Sequence, residues 1–341
     1  MSLHEDPALP APRGPLSEHL LAALAQPPHA VAPGPSPARD DPLAGEDLQL
    51  ALYCCYELHY RGFAGVDERW EWEPSLLAFR AGLEAAFERA LLDTVARPEA
   101  PEPRETDLAL RAILEADDAP PLSRFAETQA TLEQFCELLV HRSPYQLKEA
   151  DPHTFALPRL TGGPKAALIE IQADEYGGGR PDRIHAQLFA DELAALGLDP
   201  AYGAYLGHVP GVTLATVNLM SLFGLHRRFR GSVAGHLAAY EMGSSIPNRR
   251  YANGLRRLGR GDATAFHDEH VVADAIHDNI AAVHLVGGLA RQDPRLGADA
   301  LWGASCLVEI DGRFARHAIG AWQAGECSLL APIGPLSAAP A

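Results

Sequence analysis

Cysteine is sparse and unpatterned in this chain. The five present, Cys54, Cys55, Cys136, Cys306 and Cys327, form no C-x-x-C pair. An odd number on apolar-patterned segments excludes a disulfide framework and reads as reduced thiols in a cytoplasmic protein. Long apolar runs are missing too, since no stretch reaches the roughly 18 residues of a membrane span. The first residues, Met1-Ser-Leu-His-Glu-Asp, lack the basic-then-apolar order of a signal peptide. Positive charge is in deficit: 28 Lys and Arg face 45 Asp and Glu, for a net charge of −17. That balance argues against nucleic acid or an anionic membrane as a partner. Aromatics are few, and there is no alternating strand pattern, no G-x-G-x-x-G after a strand and no P-loop.

What the chain has is alanine, leucine and helical periodicity, so the expected class is all-α. Residues 1–45 are rich in proline and alanine and read as a flexible arm with at most one helical turn at Leu20–Leu24. Residues 46–105 read as an N-terminal helical region. It holds one helix from Glu46 to about Tyr60 and a second opened by Pro74, and ends in the proline-rich stretch Arg97–Arg104. Residues 106–330 read as the main helical domain, with a tail at 331–341. Its expected helices include Leu122–Lys148, Lys165–Tyr176, His185–Leu196, Tyr202–Gly207, Thr213–Phe223, Arg228–Met242, Arg249–Leu258, Phe266–Leu289 and Asp299–Gln323. Glu57 and His59, in the N-terminal region, read as polar flank residues.

The richest motif is His267-Asp-Glu-His270-Val-Val-Ala-Asp274-Ala-Ile-His277. On a helix, His270, Asp274 and His277 fall at about 0°, 40° and −20°, one narrow face, while His267 lies about 60° away. Two imidazoles and a carboxylate so placed suit iron, manganese or zinc. A solvated face is the commoner fate of such residues, and a dimetal site needs carboxylates from other helices.

Glu175 and His185 flank Gly177-Gly178-Gly179 and Pro181. In an unbroken helix they would stand about 15 Å apart. A break at the glycines would fold His185 back toward Glu175, and a plain helix–loop–helix reads equally well. Glu241 sits among small and apolar residues, where a buried carboxylate needs a metal or an ion pair such as Arg230 or Arg249. Glu149 is no better placed on spacing than Asp151 or His153.

Glu175-Tyr-Gly-Gly-Gly followed by His185 and Leu188-Phe189, then Gly235-His-Leu with Glu241, then H-x3-D-x2-H, resembles the haem-oxygenase-like diiron oxidases and oxygenases. Members of this type are known as iron-containing redox enzymes. Within it, the chain is similar to the central N-oxygenase domain of the enzyme that builds the nitrosourea of streptozotocin. The likeness spans roughly residues 120–325 and implies a haem-oxygenase-like helical bundle with an additional N-terminal helical region. It also implies a metal set of Glu149, Glu175, His185, Glu241, His270, Asp274 and His277, holding two Fe2+ ions with O2 as co-substrate. Haem oxygenase activity is not implied, because these ligands would fill the space that haem needs.

The resemblance further implies a small-molecule substrate, an amine or amino-acid-like compound undergoing N-oxygenation, hydroxylation or oxidative C–C cleavage. An external electron donor and a homodimer are compatible with it. His226-Arg-Arg-Phe-Arg230 and Asn248-Arg-Arg250 offer guanidinium groups for a substrate carboxylate, or surface salt bridges in an acidic protein. Two other readings stand beside this one: an iron-handling protein without turnover, and a helical scaffold whose histidines are structural.

Overall fold

The computed structural model of the chain describes residues 6–35 and 41–334, and every regular element among them is helical. In chain order the α-helices are α1 (Pro15–Leu24), α2 (Glu46–Glu57), α3 (Pro74–Thr94), α4 (Thr106–Glu115), α5 (Leu122–Thr128), α6 (Leu132–Gln146) and α7 (Asp151–Thr154). They continue with α8 (Gly162–Glu175), α9 (His185–Ala195), α10 (Gly211–Leu225), α11 (Arg230–Arg257), α12 (Ala265–Asn279), α13 (Gly287–Gln292) and α14 (Pro294–Gln323). None is long and apolar enough to cross a membrane. Parts of the expected arm (1–5 and 36–40) and of the expected tail (335–341) lie outside the described residues.

The rest of the expected arm is not loose. Helix α1 buries Leu16, Leu20, Leu21 and Leu24 against the body of the protein. Its N-terminal amides find an acceptor on the neighbouring helix, where Asp47 takes Leu16 N–H at 2.8 Å and Ser17 N–H at 2.7 Å. An anion at a helix N-terminus satisfies orphan donors and opposes the helix dipole. Pro/Ala composition hid this because the Asp47 cap comes from outside the segment.

Other expected helices also differ. Leu122–Lys148 is two helices, divided where Thr131 and Gln134 form a capping box that starts α6. Arg228–Met242 and Arg249–Leu258 are one helix, α11, which runs through Pro247. The proline removes one donor, but the carbonyl it would have met belongs to exposed Gly243 and can turn to solvent. Tyr202–Gly207 forms turns. The run after α12 passes through a π-helical segment, Ile280–Val286, before α13.

Helices α11 and α14 cross at two glycines. A Cβ on Gly235 would lie 1.8 Å from the Ala300 carbonyl oxygen, and one on Gly303 2.1 Å from that of Ser232. Only glycine lets the two backbones come so near, and the contact fixes α11 six residues before Glu241.

The N-terminal region is joined to the body by a buried ion pair. Lys148 Nζ donates to Glu57 Oε2 at 2.7 Å, Tyr202 Oη donates to Glu57 Oε1 at 2.7 Å, and the ammonium lies 4.1 Å from the centre of the Tyr60 ring. Glu57 is therefore a core residue rather than a flank, while His59 pairs with Glu71 at 3.2 Å. Lys148→Met strands the Glu57 carboxylate and is expected to cost about 3–5 kcal/mol in denaturant unfolding. The double variant K148M/E57L should recover part of that loss, and an equal loss in both would contradict the assignment.

His141 ties α6 to α10 and the C-terminal segment through Thr213 Oγ1 at 2.7 Å and Ser328 Oγ at 3.0 Å. Burial holds its pKa well below the ordinary imidazole value. The unfolded chain takes up this proton near pH 6.5 and the folded one does not, so the group lowers stability as pH falls below about 6.5. His141→Gln should therefore lessen the drop in melting temperature between about pH 7.5 and about pH 5.5. An unchanged drop would refute it.

Candidate metal centre

Four helices and one turn bring the acidic and imidazole side chains together inside the body. Glu149 follows α6 on a turn whose next residue, Ala150, has φ of +75°, the one left-handed non-glycine among the described residues. That turn sends neighbouring side chains to different duties, Lys148 to Glu57 and Glu149 to His270. Glu175 ends α8, His185 begins α9, Glu241 lies midway along α11, and His270, Asp274 and His277 share the inner face of α12.

The triple glycine breaks the helix. Gly177, Gly178 and Gly179 have φ of +69°, +59° and +80°, a left-handed run that residues with a Cβ rarely adopt. The chain reverses there, and His185 Nδ1 comes to 3.0 Å from Glu175 Oε2. Of the two readings open on spacing, the folded-back one is observed.

Two groups of donor atoms result, each with its atoms within 4.8 Å of one another: Glu149, Glu175, His185 and His270, and Glu175, Glu241 and His277. Glu175 belongs to both. The His185 and His270 ring centres are 4.3 Å apart, and His270 Nε2 is 3.6 Å from Glu149 Oε1. Asp274 stands just outside the groups, its Oδ2 accepting from Ser244 Oγ at 2.6 Å. His267 turns elsewhere, to Asn248 at 2.7 Å and Glu192 at 3.1 Å. Asp151 accepts from Tyr176 Oη at 2.8 Å, and His153 pairs with His236 at 3.2 Å.

The electrostatics are those of a site short of positive charge. Burial pushes Glu241 up to about 7 and Asp274 up to about 6. Burial also acts on Glu175, but His185, His270 and His277 outweigh it and hold its carboxyl below the usual range. Burial opposes charge on His277, yet Glu241 and Asp174 raise it to about 9. Glu149 Oε2 is buried and accepts no hydrogen bond. A buried acceptor left so is costly, and a cation satisfies it.

The donor set therefore fits iron, which takes mixed carboxylate and imidazole donors, and outer contacts orient these side chains. His270 Nδ1–H donates to the Phe266 carbonyl at 2.8 Å, which leaves Nε2 facing the carboxylates. His277 has Asp174 at 3.0 Å on Nε2 and Glu241 at 3.1 Å on Nδ1. A carboxylate behind a ligating imidazole fixes its tautomer and raises its basicity. Asp174 carries no signal in the sequence beyond its place beside Glu175.

The basic segments prove unequal. Arg228 pairs with Glu88 and His226 with Glu84, both away from the centre. Arg250 lines the cavity that also reaches Glu149, Glu175, Glu241 and His270.

A Cβ on Gly177 would lie 2.6 Å from Arg183 C and 2.7 Å from Ile184 N, whereas one on Gly179 meets nothing within 4 Å. Gly177→Ala should thus displace the start of α9 and weaken Fe(II) binding by about tenfold or more. Gly179→Ala should cost only backbone strain, roughly 1–2 kcal/mol of stability. Equal iron affinity in the two variants would show that the turn does not place His185.

Residues 136–312, more than half of the 341-residue chain, match the family model described as iron-containing redox enzyme. No curated protein matches the chain. The matched span contains Glu149, Glu175, His185, Glu241, His270, Asp274 and His277. With a helical fold that gathers these side chains in its interior, the chain belongs to the haem-oxygenase-like family of iron-containing redox enzymes, as an iron-dependent oxidoreductase.

Proposed function

We propose that the protein is a non-haem diiron oxygenase or oxidase that uses O2 to oxidise a small amine or amino-acid-like molecule. The observation that carries this reading is the pair of donor groups sharing Glu175, of which Glu149, Glu175, Glu241 and His270 line a cavity of about 460 Å³. Glu149, His185 and His270 would hold one iron, Glu241 and His277 the other, with Glu175 common to both and Asp274 beside them. Held by these residues, two ferrous ions would supply a binding place for O2 and two electrons toward its reduction, with an external donor restoring them.

The protein's own part is orientation and exclusion. Phe266 O and Asp174 fix the imidazoles of His270 and His277, and Ser244 fixes Asp274. Leu139, Phe189, Leu237 and Phe266 line the cavity with apolar surface. Apolar surface beside the centre strengthens each electrostatic contact there. A volume of this size suits a small organic molecule, which favours turnover over iron handling alone.

Anaerobic titration with Fe(II), then exposure to O2 under optical spectroscopy, tests the proposal. The wild type should take up two irons per chain and consume O2 in response to a small organic substrate. His270→Ala and Asp274→Ala should each lower iron affinity at least 10–100-fold, the range typical of losing an outer contact alone. If both variants keep two irons with unchanged spectra, the site lies elsewhere.

A further inference from the structure

The cavity that reaches Glu149, Glu175, Glu241 and His270 meets solvent at one rim. Among the described residues that line it, Asp117, Pro121 and Gly243 are exposed, and the rest are buried or half-buried. Asp117 and Pro121 belong to the link between α4 and α5. Gly243 lies opposite on α11, on the same strip of that helix as Tyr240 and Pro247.

The two sides of the rim are built differently. Against α14 the link is in contact, since a Cβ on Gly312 would lie 3.4 Å from Ala119 Cβ. Against α11 it leaves a gap, where a Cβ on Gly243 would meet only the tip of Leu114, Cδ2 at 4.0 Å. Glycine inside a helix lowers stability relative to alanine. At Gly235 and Gly303 a crossing backbone requires it, but no neighbouring backbone comes near Gly243. What the glycine leaves there is room. The link is also held at both ends. Leu110 anchors α4 in the core, and the Phe125 ring of α5 stacks on Trp322 at 5.5 Å. Arg257 Nη2 donates to Ala126 O at 3.2 Å and to Ala130 O at 2.7 Å. Pro120 and Pro121 stiffen the stretch between. A rim so anchored has a fixed width.

We propose that the gap between Leu114 and Gly243 is the way into the chamber, and that these two residues limit the width of molecule that reaches the metal centre. The inference rests on reading the cavity as the substrate chamber of the proposed oxidase. Leu114 belongs to α4, outside the residues 136–312 that match the family. The donor groups thus come from the family span, whereas one side of their entrance is supplied by a helix outside it. Selection by width is then a property of this chain's own N-terminal region. A leucine at 243 would fill the opening against Leu114, and trimming Leu114 to alanine would widen it.

Access is read with a cysteine placed inside the cavity. Leu237 lines it and is 4 % exposed. The full chain carrying Leu237→Cys, with and without anaerobic Fe(II), is treated with methyl methanethiosulfonate and with the wider benzyl methanethiosulfonate. Mass spectrometry follows position 237 apart from the five native cysteines. Each rate is divided by that of the same reagent with free cysteine. On this scale the methyl reagent should react faster than the benzyl one. Adding Gly243→Leu should slow the benzyl reagent at least about tenfold, and adding Leu114→Ala should speed it. Leucine is a better helix former than glycine, so the 243 variant should fold. Leu114→Ala probes the same gap from the other side if it does not. The proposal is overturned if either variant, folded, leaves the benzyl rate unchanged. It is also overturned if both reagents share one rate in every variant, the mark of access through unfolding. Iron uptake on the same variants separates the two readings. Two irons with thiol rates indifferent to positions 114 and 243 would move the entrance and spare the diiron proposal. Width-dependent rates without iron uptake would do the reverse.

Discussion

The constraint on which this structure depends is the burial of four carboxylates and three imidazoles in one place: Glu149, Glu175, Glu241, Asp274, His185, His270 and His277 are all at most 9 % exposed. No apolar core would tolerate them singly, because a charged group taken out of water costs several kcal/mol unless it is paired. They tolerate one another only in part. Glu241 and Asp274 are pushed up toward neutral pH, His277 is held charged, and one oxygen of Glu149 has no partner at all. Cations at the centre would resolve each of these tensions together.

The scaffold is arranged around that centre. Gly235 and Gly303 let α11 and α14 cross in backbone contact, which sets the register of Glu241 and Ser244. The left-handed glycine run turns the chain so that α8 ends, and α9 begins, at the same point. The turn at Ala150 couples the centre to the N-terminal helices, since Lys148 and Glu149 face opposite ways from adjacent positions. The N-terminal region thus contributes no residue to either ligand group, yet Glu57 braces the backbone beside Glu149.

Much of this was legible in the sequence wherever the signal is local. The helix face of His270, Asp274 and His277 follows from 3.6-residue periodicity, and α12 presents it inward. The helix break at Gly177–Gly179 follows from backbone sterics, although spacing alone left the direction of the chain beyond it open. What escaped depends on partners far away in the chain. The α1 cap is Asp47, some thirty residues on, so its segment looked loose. Asp174 gains its role only from His277, 103 positions away. The arginines at 227–230 take the surface salt-bridge role, on the surface or against acidic partners there. Pro247 marks the limit of a local rule, because α11 continues where an exposed carbonyl can do without its donor.

The central claim is that Glu175 is common to two metal positions, and anomalous scattering tests it most directly. Crystals grown anaerobically with Fe(II) would be measured on both sides of the iron absorption edge. The account predicts two anomalous peaks flanking the Glu175 carboxylate, one against Glu149, His185 and His270 and the other against Glu241 and His277. A single peak, or iron bound away from Glu175, would contradict it.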